Sequence, residues 1–175
     1  MARPIYLALL NGLEPPWTDA LRHGIARAFD SRVELVPLTL DFSALYAPER
    51  NQFHATLLLA HLLRHLPASD GKILGVTGVD LFIPVLTFVF GQAQLDGPGA
   101  VVSTHRLVDS FYGLPPDEGR TAARTLKEAV HELGHAHGLV HCPDYACVMH
   151  ASTSVEEVDL KQERFCRACR AQLPG

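Results

Sequence analysis

Hydrophobic positions recur along the chain at two spacings, one suited to strands and one to helices. The apolar run Pro4–Leu10 predicts a first strand. Pro15-Pro16 then opens a helix that should reach about Phe29, with Leu21, Ile25 and Phe29 on one stripe. Val33–Leu40 alternates as a strand does. Phe53, Leu57, Ala60, Leu63 and Leu66 recur at helical spacing and predict a second helix over Asn51–Leu66. After the turn Ser69-Asp70-Gly71, Lys72–Thr77 reads as a short buried strand. Ile83–Ala93 and Gly99–Thr104 read as two more, joined by the turn Leu95-Asp96-Gly97-Pro98. A third helix should run from Asp117 to about Gly138, its acidic start suited to the positive end of a helix.

Strand, helix, strand, helix, strand is the order of a layered α/β unit with a partly parallel sheet. The short link between the last two strands predicts one antiparallel pairing. Beyond Gly138 the chain becomes rich in cysteines, turn residues and small residues, so a border is expected there. The reading is one domain over 1–175, with the sheet and third helix in 1–138 and a small second part in 139–175. A length of 175 residues suits one such domain.

A hydrophobic share of 47% and a charged share of 19% exclude a disordered chain. The net charge of −4, with Lys and Arg never in a run of five, argues against a nucleic-acid partner. The longest apolar stretch, Leu81–Gly91, is about half the roughly 20 residues a bilayer span requires, so no membrane is expected. Met1-Ala2-Arg3-Pro4-Ile5 enters the first strand without a cleavage-site pattern. A cytoplasmic monomer without a leader is expected.

The chemistry concentrates in His131-Glu132-Leu133-Gly134-His135 on the third helix. At about 100° per residue the two histidines lie one turn apart on one face, where both imidazoles can reach one ion. Three protein ligands and an open position mark a catalytic zinc. Had the helix continued, His141 would lie roughly 15 Å along its axis from His131. Gly138 sits where a left-handed turn would end the helix and fold His141 back to complete the set. Glu132 points beside the metal, where a general base belongs. His137 falls on the opposite face and reads as a packing or surface residue. His61 and His65 share the histidine spacing but lack the glutamate and the later Gly and His, so they read as a helix face. Cys142, Cys147, Cys166 and Cys169 are clustered late in the chain, a pattern of metal ligands more than of disulfides. Asp144, Tyr145, His105 and His150 read as solvated loop residues.

His131-Glu132-x-x-His135-x-x-Gly138-x-x-His141 resembles the extended zinc signature of the metzincin metallopeptidases. The order Cys142, Cys147, Met149, Cys166, Cys169 is similar to that of the archaemetzincin branch, although the 16 residues between Met149 and Cys166 are one fewer than in that pattern. Val76–Phe82, Phe88–Gly91 and Ser103–Leu107 look archaemetzincin-like as well. The resemblance implies an α+β zincin-like fold: a mixed twisted sheet with an antiparallel edge strand, two helices above an active-site cleft, and a small C-terminal part. It also implies two zinc ions, one catalytic and one structural in the four cysteines, and a Met-turn at Met149 beneath the catalytic one. An edge strand between Phe88 and Thr104 would bind an extended peptide by adding a strand. The expected function is a zinc-dependent metallopeptidase acting on peptides or proteins, with Glu132 as general base. The alternative is a zinc-stabilised module that binds a peptide or protein with little hydrolysis. Glu132 separates the two, because a purely structural three-histidine site needs no base.

Overall fold

The computed structural model describes residues 3–173; Met1 and Ala2 of the N-terminal reading, and Pro174 and Gly175 at the end of the expected domain, lie outside the described residues. In chain order the elements are β1 (Ile5–Leu10), α1 (Thr18–Phe29), β2 (Val33–Leu38), β3 (Tyr46–Ala47), β4 (Gln52–His54), α2 (Ala55–Leu63), β5 (Lys72–Thr77), β6 (Leu81–Phe82), β7 (Gly91–Ala93), β8 (Gly99–Ser103), α3 (Glu118–Ala136), α4 (Val155–Leu160) and α5 (Arg167–Arg170). The main sheet has the order β2-β1-β5-β8-β7. Its first four strands run parallel, and only β7 pairs antiparallel, to β8. This is the partly parallel sheet with one antiparallel pairing that the spacing predicts, and the antiparallel strand lies at the edge, as the family resemblance implies.

Strand alternation sorts the core into two layers. Ile5, Leu7, Leu74, Val76, Ala100 and Val102 face α1 and α3, packing with Leu21, Ile25, Val130 and Leu133. Tyr6, Ala8, Leu10, Ile73 and Val101 face the other way, toward Leu58, Leu59 and Leu62 of α2. The sheet is therefore covered on both sides, as parallel strands require.

Three expectations need correction. The second helix begins at Ala55, not Asn51. Asn51 adopts a left-handed φ of 53°, and the Phe53 N–H donates to the Asp80 carbonyl at 2.8 Å, so Gln52–His54 becomes a strand. The buried stripe of α2 is then Ala55, Leu58, Leu59 and Leu62, while Leu57 is exposed. The strand expected over Ile83–Ala93 shrinks to β7. Pro84 supplies no N–H for a ladder, and the Leu86 N–H instead closes a turn on the Ile83 carbonyl at 3.0 Å. Arg50 and Gln52 hold this loop through the Leu86 and Thr87 carbonyls.

The long helix α3 is fixed at both ends. The Asp117 carboxylate accepts from the Arg120 N–H at 2.9 Å as its N-cap. At the far end the buried Lys72 ammonium donates to the Ala136 carbonyl at 2.7 Å and to that of Gly97 at 3.0 Å, placing positive charge at the helix's negative end. On the outer face, buried Arg124 donates to Asp109 Oδ1 and the Leu107 carbonyl, each at 2.9 Å, and to both Asp159 oxygens at 2.7 Å. Lys127 donates to the Val158 and Asp159 carbonyls. These contacts strap α4 onto α3.

The Arg124 guanidinium holds the Asp159 carboxyl below its ordinary value. A carboxyl with a lowered folded pKa contributes stability that is full above its unfolded value, about 4, and is lost as pH falls through the folded value. Asp159→Asn should therefore lower stability at neutral pH by up to about 1 kcal/mol. It should also flatten the loss of stability on acidification below about pH 4, as read by urea unfolding across pH.

Candidate metal centre

Helix periodicity sets His131 and His135 one turn apart, and the helix then ends within two residues. Gly138 takes φ +90°, its N–H donates to the His135 carbonyl at 2.9 Å, and the Leu139 N–H donates to the Gly134 carbonyl at 3.0 Å. That pair of bonds is a Schellman turn, which a glycine at the left-handed position permits. The chain reverses and brings His141 back. The donor atoms of His131, His135 and His141 all lie within 4.8 Å of one another, in a group that could hold a metal ion.

Hydrogen bonds set the tautomers. His131 Nδ1 lies 2.8 Å from the Val148 carbonyl and His135 Nδ1 lies 2.7 Å from that of Leu139. A carbonyl only accepts, so both Nδ1 atoms carry the proton and both Nε2 atoms present lone pairs. Those two Nε2 atoms are 3.1 Å apart. Two lone pairs facing each other at that distance repel, and a cation between them removes the repulsion. Burial lowers the pKa of His131 well below its ordinary value and lowers those of His135 and His141 too, keeping the imidazoles neutral and able to ligate. Three neutral nitrogen donors fit zinc.

Glu132 is buried beside this group, and burial together with the Glu128 charge pushes its carboxyl well up, against an opposing pull from Lys161. A divalent cation at the histidines would favour the ionised form. Glu132 presses on the edge strand: a Cβ at Gly91 would sit 2.7 Å from Glu132 Cγ and 2.9 Å from Oε1. Below, a Cβ at Gly134 would come 2.4 Å from Met149 Sδ. A cleft of about 510 Å³ runs past His131, Glu132, His135 and His141, between β7 with the Ile83–Phe90 loop and residues Ala151–Thr153.

Immediately after His141 the chain enters a second donor group. Cys142, Cys147, Cys166 and Cys169 have sulfurs within 4.8 Å of one another, and all four are free thiols. Cys142 and Cys166 sulfurs are 3.8 Å apart, nearly twice a disulfide bond. The Met149 and Cys166 N–H groups donate to Cys147 Sγ at 3.4 and 3.3 Å. The Cys169 N–H donates to Cys166 Sγ and helps bring that thiol down to about 7. Four convergent sulfurs with N–H donors suit a tetrahedral thiolate site.

Residues 33–174 match the profile of Peptidase family M54. The chain belongs to this family. The archaemetzincin of Methanocaldococcus jannaschii is 46% identical over 128 residues, which is 73% of this chain and 69% of that one. The crystal structure of archaemetzincin from Methanopyrus kandleri matches with a TM-score of 0.84 at 36% identity, covering 97% of this chain and 92% of the other. A zinc-dependent peptidase from Methanocorpusculum labreanum matches with a TM-score of 0.85 at 28% identity, covering 97% and 100%. The chain is a zinc metallopeptidase of the archaemetzincin family, with peptides or proteins as its substrate class. No helix among the described residues is long and apolar enough to cross a membrane.

Other histidines of this chain lie elsewhere. His137 stacks on Phe29 at 4.6 Å, and among the described residues His61 and His65 join no ligand group. His105 packs edge-on to Phe111 outside the cleft lining. Asp144 closes a turn on the Ala146 N–H, Tyr145 lies over the His150 ring, and His150 Nδ1 bonds the Cys142 carbonyl. Sequence reasoning passed over Gly134, Gly91, Glu128 and Lys161. A glycine inside a long helix costs about 1 kcal/mol against alanine, and that cost was the available signal for Gly134. In the wild-type background Gly134→Ala should destabilise, because overpacking of about 1–3 kcal/mol exceeds the helix gain of about 1 kcal/mol. In a Met149→Ala background the same change should become neutral or stabilising. Urea unfolding of the four-member cycle reads that reversal of sign.

Proposed function

We propose that His131, His135 and His141 hold the catalytic zinc and that Glu132 is the general base of peptide hydrolysis. The observation that carries this reading is the position of Glu132, buried beside three converging imidazoles and pressed on Gly91 of the edge strand. Zinc bound there supplies a Lewis acid for the scissile carbonyl and for the attacking water. Glu132 takes the proton of that water and delivers it to the leaving amine. The free edge of β7 pairs with an extended substrate backbone, which lays the scissile bond along α3. Met149, fully buried against Gly134, gives the histidine group an apolar floor. Cys142, Cys147, Cys166 and Cys169 hold a second, structural zinc that ties the segment after Gly138 to the part that carries the sheet and α3. Free thiols gathered on one ion suit a reducing cytoplasm, and one chain supplies all seven ligands, so a monomer suffices.

Zinc analysis and hydrolysis of a peptide library test the assignments together. Glu132→Gln should retain the wild-type zinc content and lose hydrolysis by a factor of about 10²–10⁴. Retained turnover would refute the base. Cys166→Ser should lower bound zinc by about one equivalent and lower the melting temperature. Unchanged zinc would refute the second site.

A further inference from the structure

Lys161 is 2% exposed, an ammonium buried as deeply as the core leucines. A charge in that position must be paired. Its Nζ lies 2.8 Å from Glu128 Oε1, an ion-pair contact outside hydrogen-bond alignment, and donates to the His150 carbonyl at 3.3 Å. Glu128 stands on α3 one turn before Glu132, and both line the cleft with His131 and His135. His150 leads into Ala151–Thr153, which line the cleft from the other side. One cation thus touches both walls of the cleft.

Stability alone does not account for the pair. A buried ion pair roughly breaks even against an apolar pair of the same shape, and α4 is already strapped to α3 by Arg124 and Lys127. The far end of the cleft wall reaches α4 through Glu157, which accepts from the Thr153 N–H and Oγ1; what Lys161 adds is a direct link from α3 to the near end, at the His150 carbonyl.

We propose that Lys161 is a positioning residue: by bridging Glu128 and the His150 carbonyl it fixes the wall 150–153 against α3, and so sets the width of the subsite that receives the substrate side chain beside the scissile bond. This rests on reading the cleft as the peptidase site. It makes Lys161 and Glu128 determinants of selectivity without contact with the reacting atoms.

The test uses the zinc-loaded full chain with Lys161→Met, Glu128→Gln and Lys161→Arg. In Lys161→Met, amide hydrogen exchange of 150–153 should speed by about tenfold, while α3, α4 and zinc content stay as in wild type. Peptide KM should rise several-fold, and library selectivity should broaden at one substrate position. Glu128→Gln should shift the same way, and Lys161→Arg should restore both readouts in part. A merely structural role predicts a lower melting temperature with unchanged KM and selectivity, and that result overturns the proposal. Unchanged exchange at 150–153 overturns it as well. Should wild type hydrolyse nothing, the peptidase assignment of the cleft fails, and the exchange measurement still decides whether Lys161 places the wall.

Discussion

A helix can bring two imidazoles to one point, but a third, six residues further on, would be carried about 9 Å away along the axis. Everything at the metal centre depends on stopping α3 at that moment. The stop is built from several contacts at once. Gly138 takes the left-handed turn, Lys72 donates to the Ala136 carbonyl, and the Asp96 N–H donates to the His135 carbonyl at 2.9 Å. Because Lys72 opens β5 and Asp96 lies in the β7–β8 turn, the sheet itself fixes where the helix ends. The histidine geometry is thus a consequence of how the sheet is wound.

The same turn forces the two donor groups into neighbouring positions. His141 joins the histidines, and Cys142, the next residue, joins the cysteines. The Cys142 N–H donates to the Met149 carbonyl at 3.0 Å, so the hairpin between them closes with Val148 placed to accept from His131. Loss of order at the cysteines would therefore reach the histidines through one strand of backbone. That coupling makes the order of the histidine group depend on the order of the cysteine group beside it.

Sequence reading succeeded where a period repeats and failed where a single contact decides. The helix α3, its histidines one turn apart and the parallel strands follow from long runs with strict spacing, and the glycine turn follows from the need to return His141. The small sheet β3-β4-β6 left no such trace, since its strands of two or three residues are too short for a pattern. Phe53 matched a helical stripe and yet pairs with Leu81 in that sheet, because Asn51 turns the chain just before it. Lys161 sits in Lys161-Gln162-Glu163-Arg164, where no apolar period marks one charged residue off from the others. Only the fold shows that the first of these charges is buried and the rest exposed.

Both faces of α3 are covered, and one of them is polar. A polar face out of water has to satisfy each of its groups or bear the cost. Arg124 finds Asp109, Asp159 and the Leu107 carbonyl, Lys127 finds two carbonyls of α4, and Glu128 finds Lys161. Asp109 Oδ2 and Glu128 Oε1 meet their cations as ion pairs and not as aligned hydrogen bonds, and further along the helix the Nε2 atoms of His131 and His135 face each other at 3.1 Å. Two acceptor nitrogens opposed in this way are an arrangement that a cation would relieve. The Nδ1 bonds to the Val148 and Leu139 carbonyls hold both imidazoles in this orientation, so the two nitrogens stay at a spacing that a cation could bridge.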